Sequence, residues 1–232
     1  MAASEASVGG FQEINDRRPA SPFDRRAALC EIGCLFFCVE LIMWVVPLVP
    51  NMRAAYAGLA ALIVLLLGVT HLRDRATARE LGFRLDNFFP VLGRISLRLA
   101  PFVAAILLIG LAEHSLRFGA RFYGMLISVP LWALLQQYML FVFVHRRLRV
   151  VLGDGDRAAL VSAALFALLH LPNPMLTVAC AIAGTIWARA YERSPNLYAH
   201  AVTHAVASAL IANSLPHWLL RNMVVGLNHF FR

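Results

Sequence analysis

The sequence predicts an all-α, polytopic integral membrane helix bundle of about seven to eight transmembrane helices. Three observations carry this prediction. The chain is 60% hydrophobic, with a mean hydropathy of +0.68, where ordinary soluble domains are about 45–50% apolar. Apolar runs of spanning length recur along it. The basic residues, all arginine among 21 Lys+Arg, fall between those runs instead of gathering on one soluble surface.

Residues 1–26 are polar and mixed in charge, and read as a disordered cytoplasmic tail ahead of a transmembrane domain over 27–232. They are not a signal peptide, because the apolar stretch begins only near Ala27 and is long enough to span. The expected spans are 27–48, 54–71, 98–113, 122–144, 158–171, 174–191 and 196–215, with a weaker candidate at 216–231 interrupted by Arg221. The longest polar connection, 71–98, spaces arginines among Leu and Phe and is expected to rest on the membrane surface. Pro172 and Pro174 stop the fifth span, placing His170 in its last turn. Ser194-Pro195-Asn196 is a helix-start signal for the seventh.

A cytoplasmic N-terminus puts sixteen of the 21 arginines on one side, which predicts a multi-pass protein of the cell inner (plasma) membrane. The same distribution argues against nucleic acid as a partner, since the basic residues form no single patch. The expected partners are the lipid bilayer and a membrane peptide or protein. Cys30, Cys34 and Cys38 share one helix face, and Cys180 lies on a later helix. They read as small packing residues, with no disulfide framework.

Two histidines sit inside apolar helical stretches, His170 in LVSAALFALLHLPNP and His204 in SPNLYAHAVTHAVASAL. An imidazole in hydrocarbon needs a partner, so each marks a functional site. Phe166 and His170 are four residues apart, as are His200 and His204, and His204 and Ser208, so each pair shares a helix face. The fourth span adds the amides of Gln136 and Gln137, giving a polar pocket enclosed by apolar helices. His200 lies one turn nearer the helix start and is a weaker member. His71, His114, His145 and His217 flank spans and are expected at the interface.

These residues occur in an order that resembles the CAAX protease and bacteriocin-processing (CPBP) family of intramembrane proteases, over roughly residues 80–215. That family carries Glu-Glu-x-x-x-Arg, then Phe-x-x-x-His, then His-x-x-x-Asn or a variant. Phe166-Ala-Leu-Leu-His170 matches the second motif and His204-Ala-Val-Ala-Ser208 the third, with Ser for Asn. Leu81-Gly82-Phe83-Arg84 is also typical. The first motif falls at Gln136-Gln137-Tyr138-Met139-Leu140-Phe141, so both glutamates are glutamine and the arginine is phenylalanine.

The resemblance implies a CPBP-like fold and an intramembrane peptidase acting on membrane-embedded or lipidated peptides, with His170, His204, Gln136, Gln137 and Ser208 as the catalytic set. In the family the first glutamate and the histidines activate water, while histidine and asparagine groups stabilise the oxyanion. Glutamine can orient water but accepts no proton near neutral pH, and loss of a general base costs on the order of 10²–10⁴ in rate. Glu40 and Glu113 are the acids nearest the interior, and His170 itself is the other candidate base. The alternatives are a catalytically inactive relative that binds or protects a membrane peptide, and a bundle holding haem between His170 and His204. No cofactor is expected. Zinc on His170 and His204 would lack the usual carboxylate or thiolate ligand.

Overall fold

Among the described residues, four helices are long and apolar enough to cross a membrane: Asp24–Leu48, Met52–Asp74, Phe88–Ala112 and Ala120–Leu152. They belong to a computed structural model that describes residues 22–231. Helix α1 (Pro22–Glu40) continues through a π-helical turn at Leu41–Val45 and a 3-10 turn at Val46–Leu48. It is followed by α2 (Met52–Asp74) and α3 (Phe88–Ala112). The fourth span is built from α4 (Ala120–Gln137), a π-helical stretch Tyr138–His145, and α5 (Arg146–Leu152). Then come α6 (Asp156–Leu168), α7 (Pro174–Arg193), α8 (Leu197–Ser214) and the short α9 (His217–Leu220). The protein is an all-α polytopic membrane bundle, and no strand occurs among the described residues.

The long helices and the inner ones differ for a physical reason. Leu62, Val64 and Leu65 of α2, and Ile127 and Leu131 of α4, expose large apolar side chains, as lipid contact requires. Helix α6 has 13 residues, about 20 Å of helix against about 30 Å of hydrocarbon. Helices α7 and α8 are longer, but α8 carries His, Asn, Thr and Ser on its buried face and α7 buries Trp187 and Tyr191. These three form the polar interior that the long helices shield. A Cβ on Gly184 of α7 would lie 3.3 Å from Ala163 Cα of α6, so the pair packs backbone to backbone. Ala201 and Ala205 of α8 meet Ala133 of α4 in the same way.

Several sequence expectations change. Helix α1 starts at Pro22, inside the segment read as tail, while residues 1–21 lie outside the described residues. The surface connection expected over 71–98 shrinks, because α3 begins at Phe88 and takes Arg94 and Arg98 into its first three turns. The fourth helix runs past His145 to Leu152, so His145 is fully buried instead of interfacial; His71, His114 and His217 are exposed. The 216–231 segment forms no spanning helix. Arg221, Asn222 and Met223 adopt left-handed φ values that break it, and Gly226 N donates to Leu171 O at 2.8 Å, folding the C-terminal segment under the α6–α7 turn.

The loop before α3 sets the start of α8. Leu197 N donates to Gly82 O at 2.8 Å, and Asn196 Nδ2 donates to Arg84 O and Asn87 Oδ1. Gly82 has φ +89°, and a Cβ there would stand 3.1 Å from the Asn196 and Leu197 nitrogens, so both conformation and space call for glycine. Within the loop, Arg84 and Arg79 both pair with Asp86. The Arg84 hydrogen bond, with a smaller charge effect from Arg79, pulls the Asp86 carboxyl down to about 2. A folded-state value below the usual carboxylate range contributes order above about pH 4 and loses it as pH falls toward the folded value. Amide hydrogen exchange over 79–87 is therefore expected to quicken between about pH 4 and pH 2, and Asp86→Asn is expected to show fast exchange already at neutral pH.

Candidate active site

Gln137 is the last α-helical residue of the fourth span before the backbone loosens into the π-helical stretch. Stretches of this kind reposition side chains and are frequent at functional sites. The Gln137 side chain is fully buried, and its Nε2 donates to His204 Nδ1 at 3.0 Å. That orientation makes His204 the Nε2–H tautomer, with its remaining N–H available as a donor. Gln137 Oε1 is buried without a partner among the described residues. An acceptor left open in an apolar interior costs about 1–3 kcal/mol and points to a group from outside the chain.

His204 occupies the third turn of α8 and is held by rings. Its imidazole lies 4.8 Å from the Trp187 ring at 34° and meets Phe166 edge-on at 5.8 Å. Trp187 is itself fixed, because its Nε1 donates to Thr203 Oγ1 at 3.1 Å.

His170 comes from α6 but lies just past it, in the turn following Leu168 and not in the last helical turn. His170 Nδ1 faces Phe166 O at 2.7 Å, and the two rings pack edge-on at 4.8 Å. Because that carbonyl can only accept, Nδ1 carries the proton and the neutral ring keeps the Nε2 lone pair. The Phe-x-x-x-His spacing thus has two functions here: the Phe166 carbonyl orients His170, and its ring supports both imidazoles. Asn173 closes the turn by accepting from Leu176 N and donating to Leu220 O, and Asn173 N donates to His170 O.

Three of the expected residues, Gln137, His204 and His170, therefore converge around Phe166 and Trp187. Gln136 is half-buried on the adjoining face of α4 and makes no side-chain hydrogen bond among the described residues. Ser208 is half-buried one turn beyond His204 and likewise has no partner among the described residues. His200 is fully buried and structural: its Nδ1 faces Asn196 O at 2.7 Å and its Nε2 faces Trp187 O at 3.0 Å, tying α8 to α7. Glu113 is exposed near Trp218, and Glu40 is half-buried and joins none of the site's hydrogen bonds. Among the described residues, therefore, no carboxylate reaches the two imidazoles, and no group of three or more His, Cys, Asp or Glu could hold a metal.

A second polar cluster lies beneath the site and has no counterpart in the sequence reading. His145 Nδ1 is 2.9 Å from Ser162 Oγ on α6, and His145 Nε2 is 3.4 Å from Glu192 Oε1 on α7. Ser162 Oγ donates to Ala158 O at 2.7 Å. The neighbouring His145-Arg146-Arg147 sequence resembles an interfacial span end, which hides the fact that the helix continues. Arg147 is also buried, paired with Glu31 of α1 and lying 3.8 Å over the Phe143 ring.

No curated protein and no solved structure matches the chain. The family model for type II CAAX prenyl endopeptidase Rce1-like proteins matches residues 32–210, from α1 to the last turns of α8 and therefore across every residue of the site. The chain belongs to the type II CAAX prenyl endopeptidase Rce1-like family, a group of CAAX-protease-related membrane peptidases.

Proposed function

We propose that this protein is an intramembrane peptidase for membrane-embedded or lipidated peptides, in which His170, not a glutamate, is the general base. The observation that carries this reading is the Nε2 lone pair of His170, left free by the Nδ1–H to Phe166 O hydrogen bond, on the same Phe166 ring as His204. In hydrolysis, His170 Nε2 takes a proton from water as its oxygen bonds to the scissile carbonyl carbon. His204 Nε2–H donates to the developing oxyanion, with the Ser208 hydroxyl as a second donor. The C–N bond then breaks, and His170 returns the proton to the leaving amine. Gln137 Oε1 accepts from the attacking water or from a peptide N–H, and Gln136 lines the approach. The arginine distribution supports a cell inner membrane location with a cytoplasmic N-terminus.

The test uses the full chain in liposomes with a fluorogenic farnesylated peptide. Slow cleavage is expected, and His170→Ala is expected to reduce it by about 10²–10⁴, with peptide binding retained. Cleavage that survives His170→Ala would overturn the assignment. A second reading, an inactive relative that binds or protects the peptide, is favoured by one specific observation: an amide, which accepts no proton, stands at Gln137 beside His204. Binding without any cleavage by the natural chain is the result that selects it. The haem reading draws no support from two imidazoles that pack on one phenyl ring.

A further inference from the structure

Several arginines near this end of the bundle are neutralised within the chain. Arg79 and Arg84 pair with Asp86, Arg149 with Asp154, Arg189 with Asp156, and Arg147 with Glu31. Others, Arg75, Arg146 and Arg157 among them, have no carboxylate at ion-pair distance among the described residues, and three of the unpaired ones share one place. Arg94 and Arg98 of α3 and Arg193 at the end of α7 have no carboxylate at ion-pair distance among the described residues, and together with Val91 and Ala190 they line a single recess between the two helices. Arg94 and Arg98 are four residues apart, so they stand on one face of α3. Like charges brought together in this way repel unless an anion lies between them.

The position in the membrane says where that anion comes from. Helix α3 has 25 residues, about 37 Å of helix for about 30 Å of hydrocarbon. Its first turns therefore lie among headgroups, and its Leu97 and Leu108 are exposed to the acyl chains. Arg193 sits at the C-terminus of α7, where a cation is also favoured by the helix dipole, but that effect does not account for Arg94 and Arg98. Guanidinium groups bind phosphate oxygens through paired N–H donors, and basic recesses between membrane helices select anionic headgroups.

We propose that the recess formed by Arg94, Arg98 and Arg193 binds the phosphate of an anionic phospholipid. The site is separate from the His170–His204 pocket and does not depend on peptidase activity. The test is native mass spectrometry of the full chain in mild detergent with phosphatidylglycerol and phosphatidylcholine at equal concentration. Phosphatidylglycerol is expected to be retained about tenfold or more in preference, and the triple variant Arg94→Gln, Arg98→Gln, Arg193→Gln is expected to bring the two lipids near parity. The three side chains are exposed, so helix content by circular dichroism should be unchanged. The charge-preserving triple lysine variant should keep part of the preference. An unaltered preference in the glutamine variant overturns the proposal, as does an equal loss in Arg117→Gln, Arg121→Gln, which removes charge elsewhere. Displacement of the lipid by inorganic phosphate alone would assign the recess to a soluble anion and overturn the lipid assignment.

Discussion

Replacing Gln137 by glutamate is expected to raise peptide cleavage by about 10²–10⁴, the largest gain any single substitution should produce here. The family's motif spans Gln136 and Gln137, yet only Gln137 reaches an imidazole, with 3.0 Å between its Nε2 and His204 Nδ1. A carboxylate in that place accepts from His204 Nδ1–H and favours a protonated His204 whose Nε2–H still meets the oxyanion, so the site gains an acid-base group without losing that donor. Gln136→Glu serves as the control. Its side chain is half-buried and makes no hydrogen bond to His204 among the described residues, so the expected gain is small. Initial rates with the fluorogenic farnesylated peptide decide between them, and a gain at Gln136 alone would show that the first glutamate position, not the second, serves the reaction. A gain from a baseline of zero would identify the natural chain as a binder.

His145→Ala is expected to cost about 2–4 kcal/mol of stability, the largest loss from a residue outside the pocket. Its ring is fully buried and links three elements: the π-helical stretch after Gln137, Ser162 of α6 and Glu192 of α7. Truncation opens a cavity beside Phe141 and Tyr191, whose rings stack at 4.9 Å, and leaves the buried Ser162 hydroxyl without its imidazole partner. Denaturant unfolding in detergent should show the loss. Peptide binding should weaken with it, because the same stretch fixes Gln137. His145→Asn, which keeps a side-chain group able to meet Ser162, should recover part of the stability. A variant as stable as the natural chain would show that the three-way contact contributes nothing.

Much of the bundle was legible residue by residue. The apolar runs mark the long helices because lipid selects for them directly, and Pro172 and Pro174 mark the end of α6 because proline removes a donor whatever surrounds it. His170 and His204 could be singled out because a polar group in hydrocarbon is costly and needs a partner, and Phe166 through its four-residue spacing from His170. His145 escaped because a histidine beside arginines has the local signature of a span end. Nothing within a few residues announces that the helix continues for another two turns and buries it. Gln136, the first motif position, was the favoured one in the sequence, and only the direction each adjacent side chain faces brings Gln137 to His204 instead.

The sequence by itself determined the membrane bundle, the family resemblance, the two histidines in apolar helical stretches and the absence of the motif glutamates, all of which follow from residue type, order and transfer free energy. The tertiary structure alone decided which glutamine meets His204, that His200 is a helix tie, that His145 and Glu192 meet below the pocket, and that three unpaired arginines share one recess. Those facts depend on the rotation and depth of helices packed against each other, and packing is set by side chains far apart in the chain.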